Sequence, residues 1–105
     1  MISRVWSGFT TKDNADAYEA LLRTKIFPGI VAKKIQGFLR IELFRRLVGD
    51  EVEFVTVMWF TSIAAVRAFA GENYEDAVVP AEAQAVLERF ERKSRHYEVR
   101  AHATS

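Results

Sequence analysis

The 105-residue sequence contains no cysteine. That removes disulfides, thiolate metal sites and a cysteine nucleophile from consideration, and it suits a reducing compartment. Histidine is scarce, with only His96 and His102, and no carboxylate–histidine cluster stands near either, so a metal site has no ready ligand set. Charge of one sign is also lacking: fifteen basic and fourteen acidic side chains leave a formal net charge of +1, which gives no reason to expect nucleic acid or an anionic membrane as partner. No apolar run approaches the ~18 residues of a membrane span. The opening Met1-Ile2-Ser3-Arg4-Val5-Trp6 lacks the apolar stretch of a signal peptide, so a cytoplasmic protein is expected. Phosphate-binding glycine loops and the G-x-S-x-G nucleophile elbow are absent too, leaving kinase, dinucleotide-dependent and serine-hydrolase chemistry unsupported.

Half of the residues are hydrophobic and 12% aromatic, enough for one packed domain over 1–105, with an ordered core at 2–101 and a frayed tail at 102–105. Residues 2–9 read as a strand ended by Gly8, Thr10 and Thr11. Thr11 or Asp13 can cap a helix carrying Tyr18, Leu21, Leu22 and Ile26 at helical spacing. Pro28-Gly29 interrupts it, and Pro28 can open a short second helical turn through Lys34. Strands at 38–47 and 52–60, joined across Val48-Gly49-Asp50-Glu51, form a β-hairpin. Ser62 caps a helix from Ile63 to Ala70 that stops at Gly71. Pro80 is expected to start a helix through Arg92, with Ala83, Val86, Leu87 and Phe90 on one face. A last strand follows at 95–101. The order β-α-β-β-α-β is the ferredoxin-like α+β arrangement with a four-stranded antiparallel sheet.

A two-residue turn at Gly49-Asp50 fixes the hairpin register. It places Leu39, Ile41, Leu43, Thr56, Met58 and Phe60 under the helices, and Arg40, Glu42, Phe44, Arg46, Glu53, Val55, Val57 and Trp59 on the other face, with Arg46 opposite Glu53. With Trp6 added from the first strand, the second face carries three large aromatics, roughly 450–750 Å² of surface, where a monomer's largest apolar patch is typically ~300–600 Å². Helices cannot cover both faces of such a sheet. A homodimer sealed through Phe44, Val55, Val57 and Trp59 is therefore expected, the alternative being a monomer with one open sheet face.

Arg4-Val5-Trp6-Ser7-Gly8-Phe9-Thr10, then Glu53-Phe54 with Trp59-Phe60-Thr61-Ser62, then Ala68-Phe69-Ala70-Gly71, Ala77-Val78 and His96-Tyr97-Glu98-Val99 together resemble the antibiotic-biosynthesis-monooxygenase-like (ABM) family. More narrowly they resemble a bacterial branch with mostly uncharacterised members. The resemblance spans Ile2 to Arg100. It implies a dimeric α/β barrel, two sheets face to face, with a pocket in each subunit between sheet and helices. Some relatives oxygenate aromatic polyketides without metal or bound cofactor; others degrade haem or process signalling molecules. The haem-degrading pattern would fall on Ser7, Phe69 and Val79, and the histidine ligand is missing, so no haem and no other cofactor is expected.

Candidate catalytic residues are His96, an acid or base near neutral pH, Tyr97, expected to face the helices, and Trp59, which could stack on an aromatic substrate or belong to the dimer seam. Met58, Phe60 and Phe69 are candidate substrate-pocket walls, Tyr74 a residue at its mouth near Asn73 and Arg67, and Arg40 an anion ligand or cation–π partner of Trp59. Each has a structural alternative in core, interface or surface loop. Two functions fit: a cofactor-independent monooxygenase of a small aromatic or quinol-like substrate, and a non-catalytic dimeric barrel that binds a small hydrophobic ligand or has a stress or regulatory role. A protein-interaction module fits less well, since no charge patch or exposed amphipathic helix stands out. A cavity of roughly 300 Å³ or more with converging polar groups favours the enzyme, and a filled core opposes it.

Overall fold

A computed structural model describes residues 1–105. The first strand, β1, runs Ile2–Thr11, through Gly8 rather than ending at it. Gly8 is needed inside the strand because a Cβ there would lie 2.7 Å from the Trp6 ring, which folds over it. The Thr11 hydroxyl accepts from the Asn14 amide and starts α1, Lys12–Leu21. A π-helical turn, Leu22–Ile26, follows, and then α2, Phe27–Ala32. Pro28 therefore does not break the helix. The wider turn just before it, closed by the Phe27 amide on the Leu22 carbonyl, accommodates a residue that has no N–H and crowds the preceding turn.

Strands β2, Phe38–Val48, and β3, Glu51–Phe60, form the expected hairpin with Val48 opposite Glu51 and Arg46 opposite Glu53. A bulge near its open end changes one residue. Phe38, not Leu39, faces Phe60, so Leu39 is turned out and 48% exposed while Phe38 packs on the core. Helix α3, Ile63–Ala70, has its Ser62 cap and its Gly71 stop.

The helix expected from Pro80 through Arg92 is only one turn long, α4, Ala81–Gln84. The chain then becomes β4, Arg89–Phe90, because the free edge of β1 takes its backbone: the amides of Glu88 and Glu91 donate to the carbonyls of Phe9 and Ser7. Local helix propensity yields to tertiary pairing. Strand β5, Arg95–Glu98, pairs with the other half of the same edge and is shorter than 95–101. Between β4 and β5 the Glu91 carboxylate accepts from the Ser7 amide, and residues 92–94 swing out to pair with 75–77. The antiparallel sheet thus has the order β2-β3-β1, with β4 and β5 sharing the far edge of β1. This is the ferredoxin-like α+β fold.

Alternation along β1 puts Ile2, Arg4, Trp6, Gly8 and Thr10 under the helices, opposite Phe60, Met58, Thr56, Phe54 and Val52. Trp6 is thereby removed from the outer face. The phase of β5 also inverts the expectation for the last strand. His96 pairs with Arg4 on the helix side, while Tyr97 pairs with Ser3 on the outer side and is 52% exposed. The apolar look of Tyr97 and Val99 suggested the opposite phase; the buried cation at Arg4 decides it by facing an acceptor at 96. The core under the helices has two parts: Ala15, Tyr18, Leu22, Val52, Phe54 and Ala83, and Ile2, Met58, Phe60, Ala65 and Val66.

Candidate functional site

A cavity of about 60 Å³ lies at the seam between these two clusters, with Tyr18, Leu22 and Ala83 from one and Met58 from the other in its wall. The π turn contributes Leu22 and Ile26. Val78, Val79 and Pro80 are also in its wall, and an adjoining open groove of about 360 Å³ shares Ile26, Ile30, Phe69, Val78 and Pro80 with it. The walls are mainly apolar. The residues of the wall that carry polar side-chain groups are Arg4, Trp6, Tyr18, Thr56 and Ser94, the last three with hydroxyls. No hydrogen bond joins any of these hydroxyls to another protein group. Burial pushes the Tyr18 phenol well above its ordinary pKa, so it stays a neutral donor.

Arg4 is 3% exposed. One terminal nitrogen donates to the Tyr74 carbonyl and lies 2.9 Å from His96 Nε2; the other donates to the Asp76 carbonyl at 3.1 Å. The guanidinium also sits 5.5 Å from the centre of the Phe69 ring. No carboxylate pairs with it. Burial alone holds its pKa down at about 10, so it remains a cation at neutral pH. Arginine has no acceptor, so His96 Nε2 must accept, which requires a neutral ring protonated at Nδ1. Burial, then the neighbouring Arg4 charge, lower the His96 pKa, and Glu75 partly opposes them. His96 therefore holds Arg4 from behind and is not itself in the cavity wall.

Of the residues singled out in the sequence, Met58 and Phe69 line the cavity. Phe60 is fully buried in the core beside it, its ring tilted against that of Phe69 with centres 5.9 Å apart. Tyr74 contributes its carbonyl to Arg4 and packs edge-on against His96 at 5.1 Å, outside the cavity. Trp59, Arg40 and Tyr97 lie on the outer face, where Arg40 stacks 4.2 Å over the Trp59 ring. Arg4, Trp6, Tyr18, Thr56 and Ser94 were not singled out. The signal was present for Arg4: it shares the phase of Ile2 and Trp6, so an inward first strand carries a charge into the core.

No group of three or more histidine or acidic side chains converges as a metal site would require, and no helix is long and apolar enough to cross a membrane. Among solved structures the chain is similar to one from Bacillus cereus described as a "putative antibiotic biosynthesis monooxygenase". The TM-score is 0.66 at 15% identity, covering 99% of this chain and 97% of that one. At such identity the likeness is one of fold, the ferredoxin-like α+β arrangement of the single chain. No protein-family model matches the sequence, and no curated protein matches it.

Proposed function

We propose that the protein takes a small, electron-rich hydroxyaromatic molecule into the helix-side cavity and oxidises it with dioxygen without a bound cofactor, working as a homodimer joined through the outer sheet face. The observation that carries this reading is the cavity itself: apolar walls around one buried cation and three unpartnered hydroxyls, the lining expected of a site that orients an apolar ligand by a few polar contacts. The fold shared with the Bacillus cereus protein supports oxygenation as the chemistry, by analogy of fold. At about 60 Å³ the cavity is well short of roughly 300 Å³, and short even of the ~150 Å³ that holds benzene. Uptake of a ring therefore requires Val78 and Pro80 to move toward the adjoining groove.

The chemistry balances simply. A hydroquinone gives two electrons and two protons to dioxygen, yielding a quinone and hydrogen peroxide. An anthrone-type methylene keeps one oxygen atom as a carbonyl, and the other leaves as water. Arg4 and the hydroxyls stabilise the ligand's ionised oxygen, the usual role of prearranged donors. Oxygen uptake with a panel of hydroquinones and anthrones tests the reading. Turnover by the parent, lost in a folded Ala83→Leu variant that fills the cavity, supports it; no uptake across the panel rejects it.

A second reading rests on a specific observation. Neither histidine nor carboxylate lines the cavity, so no general base is placed to ionise a bound phenol. Tight binding without oxygen uptake identifies the protein as a non-catalytic binder of a small hydrophobic ligand.

A further inference from the structure

We propose that Arg4 is an anion anchor, and that the molecule taken into the cavity is a small organic monoanion seated head-first on Arg4 with its apolar remainder toward α2 and Val78. This rests on the reading of the cavity as a ligand site and adds the charge and orientation of the ligand.

Three features of Arg4 carry it. Its charge is buried and uncompensated: all its hydrogen-bond partners, the Tyr74 and Asp76 carbonyls and the His96 ring, are neutral. Arginine is almost never fully buried without a paired charge, and two carbonyls would be served as well by a neutral amide. Its donors are incompletely used. A guanidinium has five N–H groups; those three partners engage three of them, leaving Nε–H and one terminal N–H without a partner on a side chain that forms part of the cavity wall. Its surroundings include three further hydroxyl-bearing residues of the same wall, Ser94, Thr56 and Tyr18.

The entrance agrees with this. The open groove leading to the cavity carries Lys25 and Lys33 against a single carboxylate, Glu82. Glu82 pairs with Lys25 at 2.6 Å, and Lys33 has no ion-pair partner. The local field therefore favours an anion over a cation or a zwitterion. The competing role for Arg4 is a clamp that ties residues 74–76 to β1. That role explains the carbonyl contacts but needs no charge and no vacant donors.

The test compares benzoate with benzamide, which have the same ring and nearly the same shape. Whatever it costs to widen the cavity for a ring is common to both, so their ratio isolates the charge. Binding is followed by Trp6 fluorescence in a Trp59→Phe background, because Trp6 is in the cavity wall and Trp59 on the opposite face. Benzoate is expected to bind about 10- to 100-fold more tightly than benzamide, the range for a charge-assisted hydrogen-bonded pair. Arg4→Gln should bring the two to parity and Arg4→Lys should retain part of the preference. Equal binding of both probes by the parent overturns the anchor and leaves the pocket standing, as does a preference that survives in Arg4→Gln. Failure of both probes to bind rejects the pocket reading and the anchor with it. Should Arg4→Gln not fold, the ratio in the parent still decides.

Discussion

Replacing Phe44 with serine tests the outer sheet face directly. Phe44 lies opposite Val55 on that face, beside Val57 and the Arg40–Trp59 stack, and is 49% exposed in the single chain. A phenylalanine offers about 200 Å² of surface, so roughly 100 Å² is available for a partner to cover. At about 25 cal/mol per Å² that is ~2.5 kcal/mol per protomer. In a two-fold dimer both copies present the same residue, which doubles it to ~5 kcal/mol. Imperfect packing reduces the yield, so a weakening of about 2–5 kcal/mol is expected, or roughly 30- to 4,000-fold in the dimer dissociation constant. Sedimentation velocity across nanomolar to high-micromolar concentrations reads it. The half-exposed side chain contributes little to the monomer core, so Phe44→Ser should keep the parent's circular dichroism. A parent that sediments as a monomer throughout, or a folded Phe44→Ser that dimerises as tightly as the parent, refutes the reasoning.

Four further substitutions probe the fold and the site. Gly37 has φ 88° and a Cβ there would meet Ala65 and Thr61 at 2.6 Å, whereas Gly49 at φ 59° faces open space; Gly37→Ala should cost about 3 kcal/mol or more and Gly49→Ala only ~1 kcal/mol, read as the difference in urea midpoint. Thr10 is fully buried with its hydroxyl unpartnered, so Thr10→Val should raise stability by about 1 kcal/mol; a clear loss on thermal unfolding would contradict an unpartnered hydroxyl. The His96 pKa is lowered in the folded state by burial and by Arg4, against Glu75. The folded chain thus prefers the neutral ring, and the associated stability is whole above the ordinary value of 6.5 and declines as pH falls through the lower folded value. His96→Gln should flatten that part of the stability–pH curve, and an unchanged slope would remove the Arg4–His96 contact from consideration.

What was legible in the sequence divides by the range of the interactions. The hairpin register from Arg40 to the turn, the Ser62 cap and the choice of Thr11 or Asp13 as the first cap depend on neighbours within a few residues; the structure has the register as read up to the bulge at Phe38–Arg40, the Ser62 cap, and Thr11 of the two. Residues 88–91 could not be placed from local pattern. Their spacing suits a helix, and only the unpaired edge of β1, eighty residues away, makes them a strand. The phases of β1 and β5 were not set by local pattern: in β1 both alternating sets mix apolar and polar residues, and near β5 the apolar set of Tyr97 and Val99 suggested an inward face that His96 takes instead. That ambiguity sent Tyr97 to the wrong side, put Trp6 on the outer face and concealed Arg4. The cavity combines residues from β1, α1, the π turn, β3 and the segment 78–83, and Met58 and Phe69 were legible in it only because the hairpin and α3 were.

The two tryptophans offer the most direct measurement of where a ligand goes. They lie on opposite faces of the sheet: Trp6 in the cavity wall with its indole N–H on the Glu91 carbonyl at 2.8 Å, and Trp59 outside beneath Arg40. Each gives one indole N–H signal in a nitrogen-15 correlation spectrum. Titration with a hydroquinone or benzoate should shift the Trp6 signal saturably and leave Trp59 in place. A shift confined to Trp59, or saturation with neither signal moving, would contradict the helix-side cavity as the functional site.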